Sequence, residues 1–207
     1  MQNLDLKPER ISSYEANITA MLAGDTTLGL TLFKSELKDM IQTAEVETPT
    51  GMLYQYQNTG KAKAEGVTLT YDGAWGPWKA SLGATWQDGE SVLEGETIPT
   101  DGVPDRILNG LLSFRSGAFT AALTGVWRSA VDSPVGHPDP RGRRLSSDEV
   151  LNLNLAYDFA YVLPMRVQVK VLNLFDADFN QPTSLGIVPS RLPSQGRTVL
   201  LDYQVRF

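Results

Sequence analysis

The chain has one histidine, His137, in the segment Gly136-His137-Pro138-Asp139-Pro140. A nucleophilic triad would have to use it, but a proline-rich loop offers no strand or helix to hold an imidazole against a serine. No Gly-x-Ser-x-Gly, phosphate loop or glycine-rich dinucleotide fingerprint occurs. The absence of cysteine removes the thiolate nucleophile, the disulfide scaffold and the cysteine zinc site, and one histidine leaves no multi-histidine metal site. Asp88, Glu90, Glu94, Glu96, Asp101 and Asp105 crowd one stretch. Several carboxylates suit a hard cation, but their spacing does not match an EF-hand loop, so the reading is a solvated acidic loop. Arg141, Arg143 and Arg144 follow in the next loop, where guanidinium groups can grip a carboxylate or phosphate in bidentate fashion. Tyr54 and Tyr56 add aromatic surface in a third loop. These five residues are the candidate ligand contacts. The pattern predicts no catalytic residue, no cofactor, no metal and no enzyme.

The elements that would carry such loops follow from composition and period. The 207 residues are 42% hydrophobic and 20% charged, which is too apolar and aromatic for a disordered chain and suits one domain over 1–207. A net charge of −6 argues against nucleic-acid binding, which needs a basic surface. No apolar run approaches the ~18 residues of a transmembrane helix. The opening Met1–Lys7 has neither the basic nor the apolar region of a signal peptide.

Apolar residues alternate strictly along most of the chain, the mark of a strand with two different faces. Val199, Leu201, Tyr203, Val205 and Phe207 form one face at the end of the chain. Leu151 to Phe159, Met165 to Val171, Phe119 to Trp127, Leu108 to Phe114, Ala80 to Trp86, Val67 to Tyr71 and Tyr14 to Leu22 repeat the pattern at every second residue. Nine strands are expected, over 10–22, 27–43, 62–73, 78–88, 105–115, 118–128, 149–159, 164–175 and 197–207. Most exceed the usual ~5–6 residues and suit a tilted strand crossing a bilayer. The connections alternate in length. Ala23–Thr26, Gly73–Pro77, Ser116–Gly117 and Ala160–Leu163 are short, and Ala44–Lys61, Gly89–Pro104, Ser129–Asp148 and Asp176–Gly196 are long polar loops. An up-and-down meander of this kind is the layout of outer-membrane barrels, with short periplasmic turns and long extracellular loops. Trp75, Trp78, Phe119, Tyr157 and Phe159 fall near the short turns and Trp86 and Trp127 near the long loops, which reads as two aromatic girdles.

Four stretches carry a family resemblance. Leu4-Asp5-Leu6-Lys7-Pro8-Glu9 with Ser12-Ser13-Tyr14-Glu15, Asn58-Thr59-Gly60-Lys61-Ala62 with Gly66-Val67, Asn173-Leu174-Phe175-Asp176, and Gly196-Arg197 before the last strand stand in the order found in TonB-dependent outer-membrane receptors. Thr68 stands where that family usually has Glu. The chain resembles the last nine strands of a barrel of about 22, without the plug domain. The resemblance implies an all-β, antiparallel, partial transmembrane barrel in the bacterial outer membrane. Its parent would import a scarce ligand such as a ferric siderophore. Implied partners are membrane lipid and lipopolysaccharide (a second possible target for the loop arginines), the barrel-assembly machinery reading Val199, Leu201, Tyr203, Val205 and Phe207, and TonB only through the missing N-terminal part. The fragment alone is expected not to transport. A small self-contained barrel with a structural or adhesin-like role, and a soluble β-sheet binding module, are the competing readings. Nine antiparallel strands cannot close with an antiparallel seam, so an open curved sheet or a distorted small barrel is expected.

Overall fold

A computed structural model describes residues 3–49, 51–93, 96–133, 142, 144–160, 163–182 and 191–205. Among them there is no helix. The strands are β1 (Arg10–Leu22), β2 (Asp25–Thr48), β3 (Gly51–Trp75), β4 (Trp78–Leu93), β5 (Glu96–Pro99), β6 (Arg106–Ser116), β7 (Phe119–Arg128), β8 (Val131–Asp132), β9 (Arg144–Leu145), β10 (Asp148–Ala160), β11 (Pro164–Leu172), β12 (Asn180–Pro182), β13 (Arg191–Pro193) and β14 (Thr198–Val205). The nine long ones pair in the order β1-β2-β3-β4-β6-β7-β10-β11-β14, so β1 and β14 are the edges, and β5 pairs back on β4. The nine expected strands are all present, in a meander.

The register explains the alternation. Phe119, Ala121 and Leu123 of β7 stand opposite Tyr157, Leu155 and Leu153 of β10. Leu153, Leu155, Tyr157 and Phe159 in turn face Val171, Val169, Val167 and Met165 of β11. Those four face Val199, Leu201, Tyr203 and Val205 of β14. Side chains directly opposite share a face, so one apolar face runs unbroken from β4 to β14. A one-residue slip would move every apolar set to the polar face.

Two compact units divide the chain. One comprises Met1–Asn17, Thr31–Val67 and Gln87–Thr100, and the other Ile18–Leu30, Thr68–Trp86 and Asp101–Phe207. The first holds the long-loop portions of β1 to β4 together with β5. The second holds their short-turn portions and everything from β6 onward.

The loop assignments need correction. Ala44–Lys61 is not a polar loop: β2 continues to Thr48 and β3 starts at Gly51, whose φ of 124° turns the chain. A two-stranded ribbon has no core face, so the period-2 apolar signal fades although β-formers such as Thr43, Val46, Tyr54 and Tyr56 continue. Likewise β4 runs on to Leu93 and pairs with β5 through Glu90↔Pro99. The pairs β8–β9 and β12–β13 build short ribbons into the other two long connections. The eighth long strand ends at Leu172 rather than 175, because Asn173 adopts a left-handed φ of 51°.

Asn173 makes that ending into a clasp. It is 4% exposed. Its amide donates to the Ala177 and Gln195 carbonyls at 2.9 and 3.3 Å, and its side-chain oxygen accepts from the Ala177 N–H at 2.8 Å. Its own N–H donates to the Asn152 side chain at 2.9 Å. Three residues on, Asp176 accepts the Arg197 N–H at 2.7 Å, and a Cβ on Gly196 would lie 3.1 Å from that carboxylate. The Asn-Leu-Phe-Asp and Gly-Arg stretches are thus two halves of one hydrogen-bonded corner. Replacing Asn173 by Ala removes three side-chain hydrogen bonds and leaves a β-carbon in the left-handed region. At about 1 kcal/mol per bond, denaturant unfolding is expected to show a loss of about 2–3 kcal/mol, and Asn173→Gly a smaller loss because the backbone strain is relieved.

Candidate functional site

The sheet has no conventional core. Among the described residues Leu145 and Ala156 are the buried hydrophobics, whereas Leu201 is 72% and Val199 64% exposed. An apolar face of this extent is not left to water by a soluble monomer.

That face is bounded. Along β4 the series Ala80, Leu82, Ala84, Trp86 gives way to Asp88 and Glu90. Trp86 stands opposite Arg106, and Ala84 opposite Leu108. Trp127 stands opposite Glu149, and Gly125 opposite Leu151. On β11 and β14 the switch falls after Val171 and before Val199, which are themselves opposite each other. The same change recurs along β2 at Leu32/Lys34 and along β3 at Glu65/Val67. The short-turn end carries the aromatics. Trp78 and Phe114 have ring centroids 4.8 Å apart, Phe114 and Phe119 6.4 Å, and Tyr157 and Phe159 4.7 Å. From Trp78 to Trp86 the eight residue steps span about 26 Å of strand. That is roughly 20 Å at the tilt of membrane barrels, against the ~25 Å band such barrels present.

The opposite face is polar and bonded across strands. Gln168 donates to Asn154 at 2.7 Å, Asn152 to Thr124 at 3.4 Å, and Lys170 lies 2.8 Å from Asp202. Asp158 and Arg166 stand opposite each other with 3.6 Å between charged atoms.

Two sets of residues cluster toward the long loops. In one unit, Asn58 accepts from the Lys7 N–H at 2.7 Å and donates to the carbonyls of Lys7 and Asp39 at 2.8 and 2.6 Å. Glu9 accepts the Ile41 N–H at 2.8 Å, beyond the kink that Asp39 makes with a φ of 57°. The Leu-Lys-Pro-Glu and Asn-x-Gly stretches therefore meet, as the other two do. Past the apolar band on β2, a hydrogen bond from Lys34 and the charges of Lys34 and Lys38 hold the Glu36 carboxyl below its ordinary range. On β3 the hydrogen bond to Glu65 pushes Lys63 up. In the other unit, Arg128 pairs with half-buried Asp148 at 2.9 Å and lies 5.7 Å from the Phe179 ring centroid. A cavity of about 60 Å³ opens beside this pair, lined in part by Gly102, Leu145 and Pro182.

Of the candidate ligand contacts, Tyr54 and Tyr56 fall in one unit and Arg144 in the other. Tyr54 and Tyr56 are exposed on strand β3, not in a loop, and the Tyr54 hydroxyl donates to Glu45 at 2.8 Å. Arg144 is exposed on β9 and pairs with Asp132 at 3.1 Å. Arg141, Arg143, His137 and Phe207 lie outside the described residues. Among the described residues no group of His, Cys, Asp or Glu side chains is placed to hold a metal. The Arg128–Asp148 pair escaped the sequence reading, since nothing in the spacing of two residues twenty apart announces their contact.

The TonB-dependent receptor-like β-barrel family model matches residues 1–174. The chain belongs to that family, whose members are transport receptors and not enzymes. No curated protein matches it. Among solved structures it resembles the pyoverdine outer-membrane receptor FpvA of Pseudomonas aeruginosa PAO1, with 19% identity, TM-score 0.76, and coverage of 98% of this chain and 30% of that one. It also resembles the ferric-catecholate import receptor Fiu of Escherichia coli K12, at 19% identity and TM-score 0.72 over 96% and 28% of the two chains. The copper transporter OprC matches at 19% identity and TM-score 0.68 over 95% and 31%. The chain thus spans less than a third of the structures it matches, and the likeness is one of fold.

Because Asn58 ties the start of β1 to β2, Asn58→Ala is expected to free the Lys7 amide. Hydrogen exchange there should speed by roughly fivefold, the equivalent of about 1 kcal/mol, with exchange in β10 and β11 unchanged.

Proposed function

We propose that the chain is a nine-strand segment of an outer-membrane TonB-dependent receptor barrel, and that the parent receptor imports a scarce chelated metal, most simply a ferric siderophore. The observation that carries this is the two-faced sheet. From β4 to β14 an apolar band of roughly 20 Å, near the ~25 Å that membrane barrels present, ends in polar or charged residues at one level, and the opposite face is hydrogen-bonded across strands. Lipid on one side and a hydrated lumen on the other account for both faces. The iron and copper cargoes of the matched receptors support a chelated metal as ligand. The β2–β3 ribbon supports capture on the long-loop side, because β2 continues from Lys34, where the apolar series ends, to Thr48. Exposed Tyr54 and Tyr56 of β3 and Arg144 of β9, with Arg141 and Arg143, are the candidate contacts. Val199, Leu201, Tyr203, Val205 and Phe207 form the segment offered to the assembly machinery. TonB acts only through a plug-bearing N-terminal part of the parent.

Two edges, β1 and β14, leave this sheet without a closed pore, so the 207 residues expressed by themselves are expected not to transport. Cells whose sole receptor is this chain should fail to grow on ferric siderophores as iron source, and growth would overturn the proposal. The faces are tested by a pair of substitutions read by urea unfolding from lipid vesicles. Leu155→Arg, on the apolar face, is expected to cost about 2–4 kcal/mol. Asn154→Arg, one residue away on the polar face, should cost about 1 kcal/mol, the hydrogen bond to Gln168. Equal costs would mean that neither face meets lipid.

A further inference from the structure

The apolar face fixes which way β14 turns but not where along β11 it lies. In the observed register Val171, Val169 and Val167 stand opposite Val199, Leu201 and Tyr203. A slip of one residue would exchange the faces, whereas a slip of two keeps them. Sliding β14 by two would set Val171, Val169 and Val167 against Leu201, Tyr203 and Val205. It would also bring Asp202 directly opposite Lys170, and Leu200 opposite Leu172. In the observed register Leu200, the one apolar residue in the polar series of β14, stands opposite Lys170, and Lys170 reaches Asp202 on the diagonal at 2.8 Å. By side-chain matching the displaced register is at least as good as the observed one.

Nor does the turn choose. Register in a hairpin is ordinarily set by a loop of about two to five residues, but this connection runs from Asn173 to Arg197. What joins the two strands at that end is the corner. Asn173 donates to the Gln195 carbonyl at 3.3 Å, and Asp176 accepts the Arg197 N–H at 2.7 Å. Asn173 is itself anchored to β10. Its N–H donates to the Asn152 side chain at 2.9 Å, and the N–H of Leu174 donates to the Leu151 carbonyl at 2.7 Å. Gly196 lets the chain pass close to the Asp176 carboxylate, where a Cβ would lie 3.1 Å from its oxygen. Both bonds end on residues immediately before β14, so sliding β14 by two breaks them.

We propose that Asn173, Asp176 and Gly196 form a register lock for the last strand. They select the observed pairing of β14 on β11 over the pairing displaced by two residues, which the side chains of the two strands do not reject. The choice matters because β14 is an edge of the sheet. A slip of two would move its unpaired N–H and C=O groups about 7 Å along the band and leave both faces intact. The lock thereby sets the level at which this edge meets a further strand. Asn173 and Asp176 act as positioning residues, through the strand they place.

The test uses the full chain folded in detergent micelles. The chain has no cysteine, so introduced pairs report register by disulfide formation. Gln168→Cys with Asp202→Cys reports the observed register, in which these positions are directly opposite. Gln168→Cys with Gln204→Cys reports the displaced one, since a disulfide spans opposite positions and not diagonal ones. Asp176→Ala is expected to raise the ratio of displaced to observed link about fivefold, the worth of one hydrogen bond, and Asn173→Ala to raise it further. Asp176→Asn keeps the acceptor and should leave the ratio unchanged. Leu123→Ala loosens the same sheet on β7 without touching the corner and should also leave it unchanged. Asp176→Ala removes a single bond, so it decides the question even where Asn173→Ala fails to fold. A ratio unmoved by Asp176→Ala, or raised as much by Asp176→Asn or Leu123→Ala, overturns the lock.

Discussion

Every backbone N–H and C=O that enters hydrocarbon must find its partner within the protein, since no water is there to replace it. In a sheet that requirement falls on neighbouring strands, and the rest of this structure depends on it. Long strands, tight turns at one end and strict registration are ways of keeping the ladder complete over the height of the apolar band. The same requirement makes the two edges, β1 and β14, the weak places of the chain. Val199, Leu201 and Tyr203 stand more than half exposed on the second of them, and an unpaired apolar edge invites another strand.

Where the ladder ends, polar side chains take over its work. Asn173 and Asp176 close the corner after β11 and bind the approach to β14. Asn58 and Glu9 do the same between the start of β1, the kink at Asp39 and β3. Asparagine suits this role because its amide offers both donor and acceptor and it tolerates the left-handed region. The four stretches that mark the family are these corners. Their residues bond chain to chain, and the chemistry they perform is structural.

The two faces divide the remaining labour. The polar face forms cross-strand pairs that are half exposed, such as Lys170–Asp202, so each contributes little stability by itself. On the apolar face, methyls of Leu82 and Leu151 fill the space that a Cβ on Gly110 or Gly125 would take. The matched structures include iron-chelate receptors and a copper transporter on the same fold, so the fold by itself names no cargo.

The sequence by itself determined the nine strands and their alternation, because a period of two is a local property. It also placed Asn58, Asn173, Asp176 and Gly196 as marked residues. It did not reveal what they touch, since partners lie up to 51 residues away. The extension of β2 and β3 through Ala44–Lys61 was hidden for a physical reason. A ribbon wet on both faces needs no apolar period, so only pairing across the hairpin shows it to be strand. The facing of Gly110 and Gly125 and the Arg128–Asp148 pair exist only once register sets residues side by side, and register is a property of the folded sheet.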